Sequence, residues 1–173
     1  MKFRFNEAKA TEAAACFKAP GRTDGVSEAY QTPDLGRPIT TDHYVSMREG
    51  PVTSNVYNLI VSEPMPSQQS IWHAHIRTVA DWDVELVSDP PNEELSRSEK
   101  SIINYVFENH GHKNRWDLVH ETHKFPEWKD PGTSSTPITY REILRAVKNN
   151  EEVSADLAEL KAMIAAERII QPV

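Results

Sequence analysis

"NEELSRSEKSIINYVFENHG", Asn92 to Gly111, is the stretch that decides the fold class. Ser96 followed three residues later by Glu99 is the pattern of a capping box, in which each residue satisfies a backbone N–H of the other. Ile102, Ile103, Val106 and Phe107 then recur at helical spacing, and Gly111 follows as a stop signal. The stretch therefore predicts an amphipathic helix with one buried stripe.

The same signals repeat on both sides. "NRWDLVHETH" (114–123) predicts a short helix with Trp116, Val119 and His123 along one side. "TYREILRAV" predicts another, with Thr139 as its cap. "SADLAELKAMIAAERII" predicts a closing helix with Leu157, Leu160 and Ile164 inward. Upstream, "TSNVYNLIV" offers Thr53 or Ser54 as a cap before Val56, Tyr57, Ile60 and Val61, and Pro64 and Pro66 stop it. Near the start, Asn6 caps an alanine-rich segment whose Ala10, Ala13, Ala14 and Phe17 share a face.

Two segments alternate instead. "TDHYVSM" (41–47) and "DWDVELV" (81–87) read as strands and as each other's partners, with "REGPV" (48–52) as a turn between elements and "FPEWKDPGTSSTP" (125–137) as a loop. The expected fold is mainly α: a single helical domain over 1–173 with a small two-stranded antiparallel, hairpin-like sheet, closed by a C-terminal helix over 151–173.

Charge and composition narrow the function. A chain of 173 residues with a formal net charge of −7 lacks the basic excess that a phosphate-neutralising nucleic-acid binder needs. The single cysteine, Cys16, permits no internal disulfide and suits a reducing compartment. No apolar run approaches a bilayer-spanning length, and the opening residues lack a signal-peptide layout, so a cytoplasmic location is expected and no membrane partner.

Catalytic and metal chemistry find little purchase. His73 and His75 stand two apart, as would suit a strand; "HGH" gives His110 and His112, and "HETH" gives His120 and His123 three apart around Glu121. A zinc-protease helix needs its two histidines four apart, and no third ligand is evident. A histidine-based metal hydrolase remains the enzyme alternative. No nucleophile elbow and no phosphate-cradling glycine loop is present, so no catalytic residue, metal or cofactor is expected. The large aromatics are more informative. Trp72, Trp82, Trp116 and Trp128 are either core anchors or contact residues, since tryptophan is enriched at interface hot spots. The candidate partner-binding residues are Tyr44, Met47, Arg48, Tyr57, Trp116 and Trp128.

Several segments together carry a resemblance. "KATEAAACF", "GRPITTDHYVSMREGPVTSNVYNLI", the run from Asp81 to Pro131 and "ITYREILRA" resemble the Panacea-domain family of SocA-like antitoxins. The most specific parts are Y-V-S-M-x-x-G-P-V, here Tyr44 to Val52, and L-x-x-x-T-H-x-x-P-x-W, here Leu118 to Trp128. The resemblance implies a mainly helical antitoxin that neutralises a cognate toxin by direct protein contact, without catalysis. It also implies, as alternatives, a proteolytic adaptor delivering its toxin to a protease, or a regulatory interaction protein.

One stretch departs from the family. "KAPGRTDGVSEAYQTPDL", Lys18 to Leu35, stands where relatives carry a leucine-rich second helix. Read from the second base of each back-translated codon, it permits Lys-Leu-Leu-Gly-Gly-Arg-Met-Glu-Tyr-Leu-Lys-Leu-Ile-Lys-Leu-Leu, close to the family pattern. Residues 18–35 are therefore expected to be a frameshifted relic of low order, which the gene's codons decide.

Overall fold

The computed structural model describes residues 5–16, 38–62, 70–80 and 83–170; the expectations for residues 18–35, Phe17, Trp82 and the stop at Pro64 and Pro66 lie outside them. The described elements are α1 (Glu7–Cys16), β1 (Tyr44–Met47), β2 (Gly50–Thr53), α2 (Ser54–Val61), α3 (Ile71–His75), β3 (Ile76–Ala80), β4 (Asp83–Leu86), α4 (Arg97–His110), α5 (Arg115–Thr122), β5 (Thr136–Ile138), α6 (Tyr140–Val147) and α7 (Asn150–Ile170). The fold is mainly α with minor antiparallel sheet, as the helical periodicities imply.

The capping signals hold. In α4 the Ser96 hydroxyl accepts from the Glu99 N–H, and the Glu99 carboxylate accepts from the Ser96 N–H at 2.7 Å. Thr139 and Glu142 make the same reciprocal pair at the start of α6. Asn6 caps α1 through the Lys9 N–H at 2.9 Å.

Helix α2 is capped differently from the expectation. Thr53 occupies the cap position but its side chain accepts nothing. Asp42, 3% exposed, takes that role from upstream: its carboxylate accepts the Asn55 N–H at 2.9 Å, the Val56 N–H at 3.0 Å, the Asn55 side-chain amide at 2.6 Å and its neighbour His43 N–H at 2.6 Å. An anion at the helix N-terminus also meets the positive end of the helix dipole.

The strands do not pair as expected. β1 pairs antiparallel with β2 through a turn at Arg48–Glu49, so "REGPV" is half turn and half strand. On its other side β1 pairs with β5, giving the order β2-β1-β5. β5 lies at the end of the segment read as loop, and its Pro137 is tolerated because it sits on an edge strand. "DVEL" pairs with β3 in a separate two-stranded sheet. The "WHAH" segment is helix α3, capped by Ser70, rather than a strand.

The main core gathers Ala10, Ala13, Ile39, Tyr44, Val56, Ile60, Trp72, Ile76, Ile103, Val106, Ile138 and Ile143, with Trp72 wholly enclosed. Ala10 and Ala13 let α1 approach closely, and acidic side chains then lock it in place. Glu7 accepts from the Ser70 hydroxyl at 2.6 Å and the Trp72 N–H at 2.9 Å. Glu12 accepts from the N–H groups of Glu94 and Leu95, at 2.8 and 2.9 Å, and pairs with Lys100 at 2.8 Å. Lys9 reaches Glu99 at 2.7 Å. Burial pushes the Glu99 carboxyl up, but Lys9 and the Ser96 cap bonds outweigh it and hold it below its ordinary value. Its contribution is thus present at neutral pH and lost as pH falls. A second small core joins Leu144 of α6 to Val153 and Leu157 of α7.

Candidate partner-binding surface

The two most specific sequence blocks fold onto one another. In β1 the side chains alternate, so Tyr44 and Ser46 point inward while Val45 and Met47 are half-buried. The segment after α5 then closes over the hairpin. The Trp128 indole N–H donates to the Met47 carbonyl at 3.0 Å, and the Lys129 N–H donates to the Ser46 hydroxyl at 3.3 Å. The His123 ring stacks on the Trp128 indole, with centroids 3.9 Å apart and planes 11° from parallel. Beneath them β2 touches α5 so closely that a Cβ on Gly50 would lie 2.6 Å from the Thr122 hydroxyl.

At the hairpin tip Glu49 forms an ion pair with Arg115 of α5. The Arg115 guanidinium also lies 5.3 Å from the centre of the Trp116 ring, within cation–π range. Trp116 itself is 58% exposed. The buried residues of α5 are Leu118 and Thr122; of the expected stripe, Trp116 is turned to solvent, whereas Val119 and His123 are half-buried, His123 against Trp128.

Met47, Arg48, Trp116 and Trp128 are thus gathered around one tip. Tyr44 is not: it is 4% exposed, pairs in register with Thr53 and Ile138, and offers no surface to a partner in this conformation. Tyr57 is half-buried on α2. Sequence reasoning missed Glu49, Gly50, Arg115, Thr122 and His123 as members of this region. The signal was available for Gly50, the glycine that follows the turn residues Arg48 and Glu49 and opens the next strand.

Titratable groups line the same region. Glu121 is held below its ordinary value chiefly by the Lys113 ammonium, which it accepts at 2.6 Å, and further by His110, against an opposing effect of desolvation. Glu127 is 8% exposed, one of its oxygens has no hydrogen-bond partner, and burial pushes its carboxyl up. A carboxyl with a raised pKa contributes fully below its unfolded value and loses that contribution as pH rises through the folded one. Glu127→Gln should therefore be more stable than the parent at pH 7, with the difference vanishing below about 4.5. Urea denaturation across that range checks it; equal stability at neutral pH would refute it. Among the described residues, no three His, Cys, Asp or Glu side chains converge as metal ligands.

The sequence model of the family described as antitoxin SocA-like, Panacea domain, matches residues 26–129, more than half of the chain. The chain belongs to that family. No curated protein and no solved structure matches it. The matched region of this Panacea-domain protein runs from upstream of the β1–β2 hairpin through α5 to Lys129, so both interlocked blocks lie within it. The α6–α7 pair and its small core lie beyond. Among the described residues, no helix is long and apolar enough to cross a membrane.

Proposed function

We propose that this Panacea-domain protein is a cytoplasmic antitoxin that neutralises a cognate toxin by direct protein contact, through the face built from the β1–β2 hairpin tip and α5. It acts as a binding module and carries out no reaction of its own. The observation that carries the reading is the exposed Trp116, braced by the Arg115–Glu49 ion pair above two family blocks that interlock through Met47 and Trp128. A large, rigid aromatic held ready on the surface loses little conformational freedom on binding, as suits an interface anchor.

Co-expression tests it. A protein encoded beside this gene should arrest growth alone and be tolerated with this chain. Trp116→Ala should abolish the protection and weaken the complex by about thirtyfold, the effect of losing roughly 2 kcal/mol at a hot spot. Its own stability should shift by no more than about 0.5 kcal/mol, as for other exposed positions. Undiminished protection by Trp116→Ala would move the contact elsewhere on the molecule.

A further inference from the structure

An edge of the small β3–β4 sheet is a second candidate surface, independent of the reading given to the hairpin tip. β4 has a neighbour, β3, on one side only. The Val87 N–H donates to the His75 carbonyl at 2.8 Å, and Glu85 stands opposite Arg77 in the same register. Antiparallel alternation therefore points the backbone N–H and C=O groups of Val84 and Leu86 away from β3. Among the described residues no other strand takes them. A row of unpaired donors and acceptors is complementary to one kind of occupant, an extended chain.

The side chains say which extended chain. Val84 and Leu86 pack against the main core, so the other face of β4 carries Asp83 and Glu85, followed by Val87. Glu85 pairs with Arg77. Asp83 at the start of the strand and Asp89 just beyond its end are exposed and, among the described residues, meet no cation. From Ser62 to Ser96, Arg77 is the one lysine or arginine, against carboxylates at 63, 81, 83, 85, 89, 93 and 94. Lys100, which reaches Asn92, is already taken by Glu12. The edge is open and its charge is of one sign.

We infer that β4 accepts an extended, basic segment of a partner polypeptide as a third strand of this sheet, bonded main chain to main chain at Val84 and Leu86. The segment lies antiparallel, the slightly more stable pairing. Its alternate side chains are lysines or arginines facing Asp83 and Glu85, and those between them are apolar and continue the core-side face beside Val84 and Leu86. A second copy of this chain is a poor occupant. Two β4 strands laid edge to edge would gather Asp83, Glu85 and their counterparts on one face, where like charges repel. The same carboxylates thus reject self-pairing and select a basic strand.

The test uses the full chain labelled with nitrogen-15 and short synthetic peptides in which lysine and valine alternate. Such a peptide should shift the backbone amide signals of Val84 and Leu86 and slow their hydrogen exchange, leave those of Val153 and Leu157 in α7 in place, and bind more weakly as salt rises. In the antiparallel arrangement its valine amides face β4, so N-methylation of those amides should abolish binding and N-methylation of the lysine amides should not. A peptide with glutamate in place of every lysine should not bind. The double variant Asp83→Lys, Asp89→Lys should weaken binding by about tenfold or more. The variant Glu108→Lys, Glu159→Lys, with the same net charge but reversals on exposed positions of α4 and α7, should not. No change at Val84 and Leu86, equal binding of the glutamate peptide, equal losses from the two methylations, or equal losses in the two double variants would overturn the inference. Exchange at Val84 and Leu86 that slows with protein concentration alone would give the edge to a second copy and overturn it as well. The Trp116→Ala result concerns other elements, so either reading can fail without the other.

Discussion

Replacing Gly50 by alanine should cost the fold roughly 3 kcal/mol, from left-handed backbone strain and a collision with α5 added together. Gly50 opens β2 with φ at +127°, a conformation that L side chains rarely adopt. A Cβ there would also stand 2.6 Å from the Thr122 hydroxyl. That hydroxyl is not free to swing aside without loss, because it donates to the Val119 carbonyl at 3.1 Å. The hairpin tip would therefore lift from α5 and carry Glu49 away from Arg115, so partner binding should fall along with stability. Urea denaturation measures the first effect and a binding titration the second. Adding Thr122→Ala should return only the steric share of the loss, since the backbone strain stays. A Gly50→Ala protein with the parent's midpoint would mean that the tip is not pinned at this contact.

Asp42→Ala should cost a similar amount, about 2–4 kcal/mol. One buried carboxylate there serves three backbone N–H groups and one side-chain amide. Hydrogen bonds to a charged acceptor contribute more than neutral ones, and the donors left behind would be buried without partners. The loss is a large fraction of the 5–15 kcal/mol by which domains are ordinarily stable. Asp42→Asn should fall between, because the amide keeps one acceptor oxygen and loses the charge that faces the α2 dipole. Chemical denaturation of the three proteins orders them; an alanine variant within about 0.5 kcal/mol of the parent would show that Thr53 or water can replace the carboxylate.

These two positions also mark where sequence patterns reach their limit. Capping boxes are legible because all their partners lie within one helical turn: the Ser96–Glu99 box formed as expected, and Thr139 caps α6 as expected, with Glu142 completing a second box. The Asp42 cap is invisible by the same logic, since it reaches α2 from thirteen residues away. Alternation identified Tyr44–Met47 and Asp83–Leu86 as strands but says nothing about partners. β1 found β2 and β5, and β4 found β3. β5 has three residues, too few for a period to show inside a loop-like segment.

The candidate surface divides in the same manner. The two blocks were recognisable as distinctive, and four of the six contact candidates meet at the hairpin tip. That the blocks interlock, that Trp116 faces outward and that Tyr44 faces inward depend on contacts between residues far apart in the chain.

By itself the sequence determined the helical character, the helix starts with local caps, the acidic balance and the family, because each rests on residue type and on spacing within a turn or a block. Only the tertiary structure decided which strands pair, that Leu118 and Thr122 are the buried residues of α5, and that Arg115 is shared between Glu49 and Trp116. Those outcomes follow from close packing and hydrogen-bond satisfaction between distant segments, and spacing along a chain carries neither.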